Sequence, residues 1–187
     1  MRIIFFFLIL FSLKAQSQQI EVIKFKAVEV AEIEDDNVYL IDNDDFNSLL
    51  NVGNSEYKLI YTYAAWCKPC IETLPKVLDL IEKNKNEIDF YVISPEDEND
   101  NNEFHKIRYK LKEAGYKGPI FNISNKHSKR YNKKYISFVE NISTEIKDYG
   151  LSLILFFDKD KNLLISSTYL KDKEHYLDQI QQILDSN

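Results

Sequence analysis

The chain has 187 residues, a net charge of −6, and 44% hydrophobic and 13% aromatic residues. That is enough to bury one main core, and too little for several large domains. No lysine and arginine run of the kind that tracks phosphates is present, so nucleic acid is not an expected partner. Two cysteines and the dispersed His105, His127 and His175 leave little from which to build a metal site. Zinc needs about four ligands, and neither an H-x-x-x-H nor a second C-x-x-C occurs.

At the start of the chain, Met1 and Arg2 precede the apolar run IIFFFLILFSL at 3–13, too short to span a bilayer comfortably. It reads as a signal peptide over 1–17, with Ala15 and Ser17 at the small-residue spacing of a cleavage site. A mature chain beginning at Gln18, with no cysteine there for lipid attachment, is expected to be exported into an oxidising compartment without stable membrane insertion. An uncleaved anchor is the alternative. Residues 18–45 contain IEVIKFKAVEV (20–30) and NVYLI (37–41), both strand-like. NDDFNSLLN (43–51) follows as a short helix with acids near its positive end.

YKLIYTYAA at 57–65 reads as a buried strand, and CIETLPKVLDLIEKN at 70–84 puts Ile71, Leu74, Val77, Leu78 and Ile81 at helical spacing. Both cysteines therefore lie where a strand turns into a helix. Cys67 sits at the helix N-terminus, where unpaired amides and the positive end of the dipole favour a thiolate. Lys68 adds a positive charge, and Pro69 falls in the first turn, where its missing N–H costs nothing. Cys70, one turn further in, is the less exposed thiol that resolves a mixed disulfide. Trp66 either covers one side of the pair or is plain core. A disulfide across two intervening residues closes too small a loop to staple a fold effectively.

Residues 87–94 read as the next strand. NEFHKIRYKLKEAG (102–115) aligns Phe104, Ile107, Leu111 and Ala114 on one face before a glycine stop at Gly115. GPIFNIS (118–124) is a short strand. YISFVENISTEIKDYG (135–150) is expected to carry Ile136, Val139, Ile142 and Ile146 on a helix ending at Gly150. LSLILFFD and NLLISSTYL form a hairpin around Lys159-Asp160-Lys161, and Tyr176, Leu177, Ile180, Ile183 and Leu184 mark a closing helix.

The run Trp66-Cys67-Lys68-Pro69-Cys70 resembles the W-C-x-P-C signature of thioredoxin-like thiol-disulfide oxidoreductases, and the element order resembles their exported TlpA-like branch. The resemblance implies an α/β thioredoxin fold over 46–187, a mixed central sheet flanked by helices, with a helix-strand insertion and an N-terminal β-extension over 18–45. A hairpin is common in that extension, and an edge for docking partners is the other reading. The resemblance also implies a Cys67–Cys70 disulfide, no cofactor, and a periplasmic protein that exchanges, chiefly by reduction, with protein disulfide or dithiol substrates and draws on a membrane electron donor.

Three departures from the pattern stand out. Ser152 occupies the place of the usual cis-proline, and no proline follows Pro119. A TlpA-type glutamate is replaced by Thr73, with Glu72 beside it. Tyr61 stands where thioredoxin keeps a buried aspartate, so proton transfer falls to water or Glu72. The supporting residues to watch are thus Trp66, Lys68, Pro69, Glu72 and Ser152. Finally, SPEDENDNNE (94–103) is an acidic loop beside the expected site or else a solvated linker. Its spacing Asp97, Asn99, Asn101 lacks the glycine and closing acid of a calcium loop, as does Asp158, Asp160, Asn162. KHSKRYNKKY (126–135) either meets an anionic partner or opens an exposed helix. Arg108 and Arg130, the arginines of the mature chain, are not beside Cys67 in sequence, which argues against a peroxidase. A binding or scaffold module with a residual or metal-holding dithiol is the alternative to an enzyme.

Overall fold

The computed structural model describes residues 20–25, 37–126 and 128–186. Residues 1–17, expected to be a signal peptide, and His127 lie outside these residues. Among the described residues, no helix is long and apolar enough to cross a membrane.

The centre of the molecule is β3 (Tyr57–Thr62), buried at every position, as a strand with neighbours on both edges and helices on both faces must be. It pairs in parallel with β4 (Ile88–Ser94) and antiparallel with β6 (Ile154–Asp158), so that Tyr61 lies between Val92 and Ile154. Beyond β4 lies β5 (Ile120–Ile123), then β2 (Val38–Ile41) and β1 (Val22–Lys24), all parallel; beyond β6 lies β7 (Leu163–Ser166), antiparallel. The seven strands run in the order β1-β2-β5-β4-β3-β6-β7. The inserted β5 thus separates β2 from β4, and its own two edges are both paired.

Successive side chains of a strand point to opposite faces, and the buried residues divide accordingly into two clusters. One face packs under α2 (Lys68–Lys83), α3 (Asn101–Glu113) and α5 (Lys173–Leu184), through Leu74, Val77, Phe104, Ile107, Leu177 and Ile180. The other packs under α1 (Asn43–Leu49) and α4 (Tyr131–Ile142), through Phe46, Leu49, Tyr135 and Phe138. The expected α/β architecture, helices on both sides of a mixed sheet, is therefore present. α1 is closed by a capping box in which Asp42 receives the Asp44 and Asp45 amides and Asp45 receives the Asp42 amide. α3 ends where predicted, with Gly115 at φ +97°, a left-handed conformation that favours glycine.

Three expectations need correction. β1 and β2 are parallel, so the N-terminal strands do not form a hairpin; a crossover joins parallel strands, and a strand-like pattern in sequence carries no sign of direction. α4 begins inside the basic stretch and ends at Ile142, eight residues before Gly150. Its inward face is Lys134, Tyr135, Phe138 and Val139, while Ile136 is exposed. In α2 the inward stripe is Cys70, Thr73, Leu74, Val77 and Leu80, with Ile71 outside. Pro75 lies within α2, and the helix runs on past it to Lys83.

Candidate active site

The site forms at the carboxyl end of β3, the usual place for function in an α/β sheet. Residues 63–66 make the turn, tied by the Tyr63 amide to the Ile93 carbonyl (2.8 Å) and the Cys67 amide to the Ala64 carbonyl (3.0 Å). Cys67 is the N-cap of α2, and Pro69 stands in the first turn. Cys67 and Cys70 form a disulfide. Cys70 is fully buried and Cys67 is 6% exposed. The Cys70 amide donates to Cys67 Sγ at 3.2 Å. One of the otherwise orphaned amides of the helix start is therefore aimed at the outer sulfur, the arrangement that stabilises a thiolate once the bond is opened.

Under the disulfide lies a hydroxyl network. The buried Tyr61 hydroxyl donates to the Cys70 carbonyl at 2.9 Å and meets Ser152 Oγ at 2.9 Å. A phenol has one proton to give, so Ser152 is the donor in the second bond. Ser152 is fully buried, its amide donates to the Thr62 carbonyl (3.1 Å), and its φ is +70°. There is no cis peptide bond among the described residues; Ser152 is in trans, and it reaches the dithiol's neighbourhood through its hydroxyl. Thr62 Oγ1 receives the Leu153 amide (2.9 Å) and meets the Tyr135 hydroxyl (3.1 Å), which donates to the Gly150 carbonyl (2.7 Å). Burial pushes the Tyr61 phenol well above its ordinary pKa, so it acts as a neutral hydrogen-bond donor. It does not replace an aspartate as a base.

The remaining predicted residues divide into two sets. Trp66 stands beside the disulfide, 51% exposed. Lys68 and Glu72 point into solvent and pair with each other at 3.6 Å. Neither sulfur receives a bond from Glu72 in the structure, and the groups placed beneath the disulfide are Tyr61 and Ser152.

Two further residues complete the site. Glu96, from the acidic loop, accepts the Trp66 indole N–H at 2.7 Å, and Tyr131 of α4 meets the indole edge-to-face at 5.1 Å. Burial raises the Glu96 carboxyl above its ordinary pKa, with the indole bond opposing the shift. The buried Lys134 ammonium holds the backbone of this loop, donating to the carbonyls of Glu96 and Ile123 (2.8 Å for the latter) and to Asn125 Oδ1 at 3.0 Å. Desolvation pushes its pKa down to about 8. Among the described residues, no group of three or more His, Cys, Asp or Glu side chains is arranged to hold a metal ion. Arg108 donates to the Gly118 and Asn37 carbonyls, at 2.7 and 3.0 Å.

A thioredoxin-like protein solved in solution in its oxidised form superposes with a TM-score of 0.52 at 16% identity, over 72% of this chain and 81% of that one. A thioredoxin-like protein from Aeropyrum pernix gives a TM-score of 0.50 at 18% identity, over 74% and 81%. The fold is thioredoxin-like. The sequence matches no protein-family model and no curated protein. Within this thioredoxin-like fold the cysteine pair opens α2, and Ser152 sits in the turn before β6.

Proposed function

We propose that the protein is an exported, periplasmic thiol-disulfide oxidoreductase of the TlpA-like kind that acts on protein disulfides, chiefly by reducing them. The observation that carries this reading is the Cys67–Cys70 disulfide at the mouth of α2, with the Cys70 amide on Cys67 Sγ and the second sulfur buried.

In the reduced form, the Cys67 thiolate attacks one sulfur of a substrate disulfide. The substrate S–S bond breaks, its leaving thiolate takes a proton from solvent, and Cys67 is joined to the substrate. The Cys70 thiol then gives up its proton to solvent, its thiolate attacks Cys67 Sγ, the mixed S–S bond breaks, and the released second substrate thiolate takes up a proton. Two electrons have passed to the substrate, and the protein is left with the disulfide seen in the structure. A dithiol donor on the membrane side would return it to the reduced state.

The testing experiment is redox titration of the chain from Gln18 in glutathione or dithiothreitol buffers, followed by Trp66 fluorescence. A reversible couple near about −270 mV marks a reductase. Cys67→Ser abolishes turnover, whereas Cys70→Ser accumulates the mixed disulfide with substrate. Full disulfide-reducing activity in both variants would sink the mechanism. The alternative is a binding or scaffold module, and the observation favouring it is Ser152 in a left-handed trans conformation where the resemblance implies a proline. That reading is selected if no reversible couple is found.

A further inference from the structure

Trp66 is half exposed, so burial alone does not fix its pose, and directed contacts must. Two are present: the Glu96 carboxyl receives the indole N–H, and Tyr131 meets the ring edge-to-face. Both partners come from segments far along the chain, and each contact is only as firm as the segment that carries it. Glu96 lies in the loop after β4, and Tyr131 opens α4.

One side chain ties these segments together. Lys134 lies one turn along α4 from Tyr131 and is fully buried. An ammonium has three N–H donors, and here they meet the Glu96 carbonyl, the Ile123 carbonyl at the end of β5 (2.8 Å) and Asn125 Oδ1 (3.0 Å). The same loop is fastened to the chain after β5 at its next two residues, by the Asn125 side-chain amide to Asp97 and the Asn125 backbone amide to Glu98, both at 2.8 Å. Asn122 of β5 adds a second donor to the Glu96 carbonyl at 3.0 Å. Burying an ammonium costs desolvation, which an apolar side chain at this position would not incur. What the ammonium supplies, and an apolar side chain cannot, is a point at which the loop, the inserted strand and α4 are held in one arrangement.

We propose that Lys134 is a positioning residue for the thiol chemistry: by clamping the Glu96 loop and α4 to the inserted strand it holds Trp66, and Trp66 holds the turn that presents Cys67. The last link is covalent, since Trp66 directly precedes Cys67, which caps α2 and receives the Cys70 amide on its Sγ. This rests on the oxidoreductase reading above. It gives the insertion a task at the dithiol that is separate from the exchange of electrons.

The test is the rate at which the pre-reduced protein is oxidised by uncharged 4,4′-dithiodipyridine. Cys67 takes one sulfur of the reagent and displaces a pyridinethione, Cys70 displaces the second, and the two thiol protons leave with the coloured products. Lys134→Met is expected to slow this roughly tenfold and to lower the fluorescence anisotropy of Trp66, the single tryptophan, in the oxidised, folded chain. Glu96→Leu leaves the clamped backbone in place and removes the indole's partner, and should do the same. Asn125→Ala, at a partly exposed position, strips one of the three oxygens from the clamp and should lower both readings by less. In a Trp66→Phe background there is no indole N–H to hold, and adding Lys134→Met should change the rate by less than about twofold. Unchanged rate and anisotropy in folded Lys134→Met, or in Asn125→Ala should the first variant not fold, overturns the proposal. So does an unchanged Glu96→Leu chain, or a Lys134→Met loss that persists undiminished in the Trp66→Phe background. Failure of the oxidoreductase reading shows separately: an activated thiolate should outpace glutathione by about tenfold at the same pH, and a parent rate no greater than that of glutathione overturns that reading, and this one with it.

Discussion

A hydroxyl buried beneath a disulfide has to be satisfied on the spot, and the Tyr61 phenol is, giving its proton to Cys70 and taking one from Ser152. The two residues are matched to each other. Tyr61→Phe removes a donor from the Cys70 carbonyl and an acceptor from Ser152, and is expected to destabilise the chain by about 1–3 kcal/mol in urea denaturation. Ser152→Pro, which would place the proline that the sequence resemblance implies, is expected to do worse. Proline requires φ near about −65°, whereas Ser152 holds +70°. The change also deletes the amide bonded to the Thr62 carbonyl and the hydroxyl bonded to Tyr61. A loss on the order of 3 kcal/mol follows from the lost bonds and the backbone mismatch together. A proline variant as stable as the parent would show that the turn before β6 has two accessible conformations.

At the scale of elements, the site is an assembly of α2, the loop after β4 and the start of α4, joined at Trp66. This gives a direct pH measurement, because Trp66 is the single tryptophan and its indole N–H rests on a carboxyl whose pKa is raised by burial. Trp66 emission is expected to titrate with a midpoint above 4.5, the ordinary value for that group, and Glu96→Gln should abolish the transition. The sign for stability follows. The folded chain holds the Glu96 proton to higher pH than the unfolded chain does, so this group's contribution is fullest in acid and is lost as pH rises from about 4.5 through the folded pKa. The same assembly explains what was legible in sequence. The cysteines, Trp66 and Pro69 are neighbours in the chain, so their placement at a helix mouth could be read locally. Glu96 and Tyr131 come from 30 and 65 positions beyond Trp66, and an acid in a charged loop looks like any other until the fold brings it to an indole. α4 was misjudged for a related reason. Its inward positions include Lys134 and Tyr135, whose polar ends find buried partners, while an exposed isoleucine at 136 shifted the apolar pattern off phase.

On the scale of the whole molecule, the sheet keeps its two cores apart. Ile107 belongs to the cluster on the face of α2, α3 and α5, and Ile93 to that on the face of α1 and α4. Ile107→Val and Ile93→Val should each cost about 0.5–1.5 kcal/mol, and the double variant should equal their sum to within about 0.5 kcal/mol, since distant sites without shared partners add. A clear excess would mean that the faces communicate through the sheet. The fold class was readable because strand and helix patterns alternate along the chain; the parallel pairing of β1 with β2 was not, because direction is settled by what a strand finally pairs with.

The position of β5 has a consequence for the order in which the protein can be made. β2 ends at Ile41, yet the strand it lies against ends at Ile123. A ribosome delivers the first long before the second, and until β5 emerges, Val38 and Ile41, both fully enclosed in the finished sheet, have no neighbour on that side. Early synthesis therefore yields a chain with an open slot, and filling of that slot is deferred until roughly two thirds of the polypeptide exists.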